Sequence, residues 1–249
     1  AEQTHPQLLA RSAKAGYSGG TDTLGFVDPQ DIVGSSIYFM RVLSEGMGGG
    51  MVHRRDIEIA EGMRDLALPD DPHEALGLWT TRLNAAIRER ANAEGAQMPD
   101  LNALLASGHV HSVNFCFPHF WYLPVNGNAA SYRIRPISPE ETRFEVWSTT
   151  LWPAQEGEAT VQAPTRRAYD DPNWGEVLRQ DFENLPRLHA GVRSPGFDAM
   201  RLARDVEGTI ANFHQGLDGF LAGRDHEALL PALQQISGPI DAPIRDLGL

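Results

Sequence analysis

Two long stretches of the chain repeat apolar residues every three or four positions, a spacing that predicts amphipathic helices. The first covers residues 72–94 and the second covers residues 205–221. Shorter patterns of the same kind predict helices over residues 54–66 and 173–190. Turn and capping residues also predict a short helix over residues 99–108. The two ends of the chain are therefore expected to be mainly helical.

The middle of the chain changes to apolar, β-branched and aromatic runs that turn residues separate. Four of these runs are predicted strands, at residues 110–117, 120–125, 131–137 and 142–152. Short connections between consecutive strands require antiparallel pairing, so the four strands form a meander. A separate strand is predicted over residues 36–43 from its composition. Helices that flank an antiparallel sheet indicate an α+β domain.

Length and composition narrow the class of protein. At 249 residues the chain suits a single domain, 1–249, with a sizeable core. A formal charge of −12 argues against a nucleic acid or an anionic membrane as the partner. The single cysteine, Cys116, excludes an internal disulfide and a cysteine-rich metal site. One thiol and no secretory segment fit a cytoplasmic protein.

Two glycine-containing motifs invite functional interpretations that their context does not support. Gly16 to Gly20 matches the G-x-S-x-G pattern of hydrolases, but no apolar strand precedes the serine. Gly46 to Gly50 resembles a dinucleotide-binding loop, but Met51 stands where the last glycine belongs. We interpret the first as a chance match. The second is expected to be a flexible or tightly turned loop near a ligand or subunit surface.

Three histidines deserve comparison as candidate metal ligands. His109 and His111 would share one face of the first meander strand, a spacing that can chelate a metal. No carboxylate occupies a matching position there, so a histidine on the sheet face or in a pocket is favoured. His5, next to a proline, and Asp181, on a predicted helix, are each ordinary when taken alone.

Read together, these positions resemble the catalytic domain of the α subunit of Rieske non-haem iron ring-hydroxylating oxygenases. Thr4-His5-Pro6-Gln7 fits the second half of the family's H-x4-H motif, whose first histidine would stand immediately before Ala1. Asp181, followed by Asn184 and Leu185-Pro186-Arg187, fits its carboxylate-bearing helix. Further matches are Phe117-Pro118-His119, Tyr132 to Pro136, Glu145 to Ser148, Gly191 to Phe197 and Asn212-Phe213-His214, so the resemblance spans nearly the whole chain.

The resemblance implies a helix-grip fold (START/Bet v 1-like) and a mononuclear Fe(II) site with His5 and Asp181 as ligands. Two imidazoles and one carboxylate hold such an ion and leave positions open for O2. The family's [2Fe-2S] Rieske cluster needs cysteines that this chain lacks, since Cys116 is the only one. The chain is therefore expected to be the C-terminal catalytic part of a longer one.

The resemblance also implies partners: O2, an apolar aromatic substrate, and a ferredoxin or reductase as electron donor. A homo-oligomer, usually a trimer, or an assembly with a β subunit is expected. The substrate pocket should lie between the meander and the Asp181 helix and should be apolar. Strand alternation and helical spacing nominate six substrate-binding residues. They are His111, Val113, Phe115, Phe117, Leu123 and Val177.

Two functions from other classes remain open on the sequence alone. A helix-flanked sheet of this kind can be a metal-free module that binds a hydrophobic ligand in its cavity. The chain could also be a structural partner subunit of an oxygenase. One mononuclear iron per chain would favour the enzyme, and no iron would favour the carrier.

Overall fold

The computed structural model describes residues 4–11, 25–47, 50–155, 158, 163–203, 206–237 and 242–248. Its helices are α1 (Pro6–Leu9), α2 (Ile32–Gly46), α3 (Arg54–Glu61), α4 (Pro72–Ala93), α5 (Leu101–Ala106), α6 (Glu176–Val192), α7 (Gly208–Leu221) and α8 (His226–Leu233). Its strands are β1 (Asn114–Cys116), β2 (Phe120–Val125), β3 (Asn128–Ser138) and β4 (Glu141–Thr150). Among the helices in these ranges, none has the length and hydropathy that crossing a membrane requires.

The four strands form one sheet in the order β1-β2-β3-β4, and each neighbouring pair is antiparallel. This confirms the predicted meander and the α+β class. Tyr132 on β3 pairs with Trp121 on β2 and with Val146 on β4. Because paired residues point to the same side of a sheet, these three side chains define the face on which α6 packs.

The prediction of a strand over residues 36–43 is wrong, because this segment belongs to α2. Asp31 begins the helix by accepting a hydrogen bond from the Gly34 amide at 2.9 Å. Ile37, Met40 and Leu43 then follow at helical spacing, and all three are buried. The β-branched and aromatic composition favoured a strand, whereas burial of one helical stripe decided the outcome.

The first meander strand is shorter than the predicted range 110–117. Only residues 114–116 pair with β2. His109 and His111 therefore precede the strand, and the prediction that they share one strand face is wrong. The side chain of Asn114 instead closes a local turn, accepting from the His111 amide at 3.3 Å and donating to the His111 carbonyl at 2.7 Å.

The larger of two hydrophobic clusters joins α2, α3 and α4. Trp79, Leu83 and Ile87 repeat along α4 and pack with Ile37 and with Trp152, which follows β4. Burial of each large side chain contributes roughly 2 kcal/mol. This helical layer therefore supports one end of the sheet.

The smaller cluster lies between α6 and the sheet. Val177, Leu178 and Phe182 are buried on one side of α6, and they pack against Ala130 of β3 and partly buried residues beside it. Val177 also contacts Gly46 so closely that a Cβ at that glycine would lie 2.5 Å from its Cγ2. Gly46 thus fixes how near α6 lies to the end of α2.

The C-terminal helices cover the β1 edge of the sheet. Phe213 of α7 packs on Phe115 with ring centroids 5.2 Å apart. Ser237, beyond α8, accepts a hydrogen bond from the Phe115 amide at 2.7 Å and so satisfies part of the exposed edge. The helix α8 was not predicted from the sequence, since Pro231 interrupts its pattern.

Candidate metal and substrate site

His5 and Asp181 meet although 176 positions separate them in the chain. His5 precedes α1, whose first residue is Pro6, a position that suits the fixed φ of proline. Asp181 lies in the second turn of α6. The Nε2 atom of His5 is 3.0 Å from Oδ1 of Asp181. The side chain of His5 is 14% exposed and that of Asp181 is 47% exposed, so the carboxylate is the more open of the two.

Both ring nitrogens of His5 face oxygen acceptors. Its Nδ1 atom is 2.7 Å from the Gln180 carbonyl oxygen, Oε1, and its Nε2 atom faces Asp181. A neutral imidazole carries only one N–H, so it can donate to only one of these oxygens. The arrangement is satisfied either by a proton between Nε2 and the carboxyl oxygen, carried by one or the other group, or by a cation between them.

The spacing of the two side chains fits a shared metal ion. Two bonds of about 2.1 Å at a right angle place the ligand atoms about 3.0 Å apart. A neutral imidazole nitrogen and a carboxylate oxygen are also ligand types that Fe(II) accepts. Within the ranges that the structure describes, no group of three or more His, Cys, Asp or Glu residues could hold a metal. This pair accounts for two ligands.

Burial governs the electrostatics of the site. It raises the pKa of the Asp181 carboxyl, and the neighbouring His5 partly opposes this shift. Burial also raises the pKa of the Tyr132 hydroxyl, and the negative charge of Asp181 raises it further. The Tyr132 hydroxyl contacts the sulfur of Met47 at 3.5 Å. Sulfur is a weak acceptor, so the phenol retains hydrogen-bonding capacity for a ligand.

A cleft of about 720 Å³ opens beside Asp181, between α6 and the sheet. Its sheet side is apolar and aromatic, whereas its α6 side mixes apolar and polar residues. The lining residues are Thr4, Trp121, Leu123, Tyr132, Ile134, Phe144, Asp181, Phe182, Asn184, Leu185, Arg187 and Leu188. A cavity of this size and character suits a small, largely apolar ligand.

Of the six nominated pocket residues, the structure places Leu123 in the lining of this cleft. Val177 lies on α6 one turn before Asp181, buried between Gly46 and the sheet. Phe115 stacks on Trp121 with centroids 4.2 Å apart, so it lies directly behind a lining residue.

Phe117, Val113 and His111 lie farther along the β1 side. Phe117 packs on Phe213 and Phe220 of α7. Val113 is exposed just before β1, and His111 is half-buried in the turn that Asn114 closes. The sheet residues that alternation along the first strand missed are on β2, β3 and β4. The pairing register between strands determines which residues of β2, β3 and β4 share the face of the cleft, and alternation along one strand cannot predict it.

The two glycine motifs occupy different situations. Residues 16–20, the G-x-S-x-G match, lie outside the described residues. Of the glycine cluster, Gly46 ends α2, and Gly50 approaches the Ser148 side chain, whereas residues 48 and 49 lie outside the described ranges. The described part of the cluster is thus a site of close packing between elements.

A meander closed on one face by a helix, with a histidine–carboxylate pair at the mouth of an apolar cleft, defines an α+β domain built around a binding cavity. The chain matches the family model described as the ring hydroxylating alpha subunit (catalytic domain) over residues 4–223, and it belongs to this family. The family confirms the predicted resemblance and the helix-grip fold, and it supports an oxygenase function in the broad sense. No curated protein and no solved structure matched the chain.

Proposed function

We propose that this chain is a terminal oxygenase domain that hydroxylates an aromatic or other apolar ring with O2 at a mononuclear Fe(II). His5 and Asp181 would hold the ion together with a further histidine as the third ligand. One observation carries the proposal: Nε2 of His5 lies 3.0 Å from Oδ1 of Asp181, while the opposite ring nitrogen already faces another acceptor. A proton or a metal ion is needed between the first two atoms, and the family favours the metal.

The residues of this chain bind and orient the substrate. Bound Fe(II) supplies the redox chemistry that activates O2, with electrons from a Rieske [2Fe-2S] centre outside this chain. Trp121, Phe144 and Leu185 line the cleft beside Asp181 and can sandwich a flat ring. A ring that buries about 150 Å² gains roughly 4 kcal/mol from this contact. The same contact excludes water from the ring edge nearest Asp181.

The assembly belongs to the same proposal. A ferredoxin or reductase would deliver the electrons, and the protein would act in the cytoplasm as a trimer or together with a β subunit. Whether the enzyme is a mono- or dioxygenase depends on which ring edge the cleft presents to the metal. The competing function is a metal-free carrier of a hydrophobic ligand, which the same cleft would suit.

The test uses the full-length protein and measures mononuclear iron and hydroxylation in parallel. Asp181→Ala and His5→Ala should each lose the mononuclear iron and slow hydroxylation by about 10³-fold or more, because a ligand is lost. Thermal unfolding should stay close to that of wild-type protein whose mononuclear iron has been removed. Glu183→Ala is the matched control, since it removes an exposed carboxylate from the same helix.

Three results would contradict the proposal. Wild-type turnover in Asp181→Ala would remove this carboxylate from the site. A wild-type protein that binds an apolar ligand but never holds mononuclear iron would be a carrier instead. If Glu183→Ala loses iron as fully as Asp181→Ala does, the iron loss results from the changed charge of α6 and not from the loss of a metal ligand.

A further inference from the structure

Two glutamine side chains, Gln7 and Gln180, lie against each other beside His5. The Gln7 amide nitrogen, Nε2, donates to Oε1 of Gln180 at 2.8 Å. The Gln180 amide nitrogen donates back to Oε1 of Gln7 at 3.2 Å. This reciprocal pair joins α1 to α6, across 173 positions of the chain.

Each glutamine is also held through its backbone. The Tyr38 hydroxyl on α2 donates to the Gln7 carbonyl at 3.1 Å. The Asn184 side chain donates to the Gln180 carbonyl at 3.1 Å, one turn along α6. Both residues are partly buried, which strengthens these hydrogen bonds relative to exposed ones. The pair therefore has little freedom to turn away from His5.

The orientation of the pair has a chemical consequence at His5. The oxygen Oε1 of Gln180, and not its amide nitrogen, faces Nδ1 of His5 at 2.7 Å and also accepts from Gln7. An oxygen there accepts a hydrogen bond, so Nδ1 must carry the proton. In the neutral ring the lone pair is then on Nε2, which is the atom that faces Asp181.

We propose that Gln180, oriented by Gln7, is a positioning residue that holds His5 in the Nδ1-protonated tautomer and presents its Nε2 lone pair to the metal. The inference rests on the proposed function, because it assumes that His5 is a ligand. A second hydrogen bond to a ligating histidine commonly fixes its tautomer and ring orientation. A neutral amide does so without adding a second negative charge beside Asp181.

The experiment measures Co(II) binding to the full-length protein after its mononuclear iron has been removed. Equilibrium dialysis with elemental analysis of cobalt gives the dissociation constant independently of turnover and of cluster iron. Gln180→Leu should weaken binding by about 10- to 100-fold, because the tautomer and ring orientation are no longer fixed. Gln7→Leu should weaken it less, since the acceptor at residue 180 remains.

Gln180→Glu separates positioning from packing. A carboxylate at this position still accepts from Nδ1 of His5, although it can no longer donate to Gln7. We expect its Co(II) affinity to lie within about fivefold of the wild type, well above that of Gln180→Leu. Gln234→Leu, at an exposed position after α8, makes the same chemical change outside the site and should leave affinity unchanged.

The outcomes separate this proposal from the one on which it rests. If wild-type protein binds no Co(II), or if His5→Ala binds it normally, the metal site itself is refuted. If the wild type binds and Gln180→Leu binds equally well, only the positioning role is refuted. A loss in Gln180→Leu that Gln180→Glu shares in full would show that packing, and not the acceptor, matters.

Discussion

Two carboxylates, Asp56 and Asp181, have opposite surroundings. Asp56 on α3 is fully enclosed, and both of its oxygens receive hydrogen bonds, from the Trp152 indole at 2.8 Å and from the Asn128 amide. Asp181 is half-exposed, and its oxygen Oδ1 faces a histidine nitrogen at the edge of a cleft. Burial raises the pKa of both groups, to about 6 for Asp56.

The contrast shows that a carboxyl pKa raised by burial does not by itself distinguish a structural carboxylate from a candidate metal ligand. Asp56 joins α3 to the ends of β3 and β4, since Asn128 begins β3 and Trp152 follows β4. Arg55 beside it is buried too, and its guanidinium forms an ion pair with Glu94 at 2.9 Å and lies over the Trp152 ring. Hydrogen-bond donors surround Asp56. Asp181 instead faces the open cleft and the Nε2 atom of His5.

The largest effect on stability is expected for Asp56→Ala. It leaves the Trp152 N–H and the Asn128 amide without their buried acceptor, and we expect the free energy of unfolding to fall by about 4 kcal/mol. Urea denaturation at neutral pH measures this value. Glu58→Ala, an exposed acid on the same helix, should change it by about 0.5 kcal/mol or less.

The same measurement on Asp181→Ala tests the comparison directly. Because the Asp181 side chain is half-exposed, we expect a loss of about 1 kcal/mol or less. If Asp181→Ala unfolds as easily as Asp56→Ala, both carboxylates are structural and the distinction between them fails.

The next effect is a pH dependence of the free energy of unfolding, which the raised pKa of Asp56 should cause. A pKa raised from 3.8 to about 6 means that the folded protein binds this proton more tightly than the unfolded chain does. The resulting stabilisation is complete below about pH 4 and is lost as the pH rises to about 6, by up to roughly 3 kcal/mol. Asp56→Asn does not titrate, so unfolding of wild type and variant, compared between pH 4 and 7, isolates this contribution. A difference that does not change with pH would show that Asp56 ionises normally.

A smaller effect than those expected at Asp56 concerns the contact that joins α6 to the end of α2. Gly46→Ala would place a Cβ 2.5 Å from Cγ2 of Val177, so we expect a loss of about 1–2 kcal/mol and a shift of α6. Val177→Ala should relieve the clash, so the double variant should be more stable than the sum of the single effects predicts. Calorimetry of all four proteins measures the coupling. Strict additivity would mean that α6 does not rest on Gly46.

The sequence predicted most of the elements for identifiable reasons. Helix α4 has a long apolar stripe and an Asp71 cap that accepts from the Glu74 amide at 2.9 Å, so periodicity and capping agreed. The meander followed from its turn residues. Helix α2 was misassigned because Ile37, Tyr38 and Phe39 favour a strand locally, whereas its buried spacing is visible only once the core is known.

The residues of the candidate site also include some that the sequence predicted and some that it did not. The resemblance to a known family nominated His5 and Asp181 as a pair of candidate ligands, and the structure brings Nε2 and Oδ1 of this pair to 3.0 Å. Gln180 carried no such signal, since a glutamine on a helix is usually solvent-facing. Tyr132 and Phe144 could be placed in the cleft only through the register of β3 and β4, which pairs residues that sequence distance keeps apart.

The separation of 176 positions between His5 and Asp181 has one more consequence. A cation bound by both residues would be a reversible cross-link between the segment before α1 and α6, closing a very long loop. Because the unfolded chain does not keep the two residues together, the ion binds the folded state preferentially, so metal occupancy should raise the melting temperature as well as enable turnover. Loss of the ion would then loosen the amino-terminal segment first and leave the sheet intact.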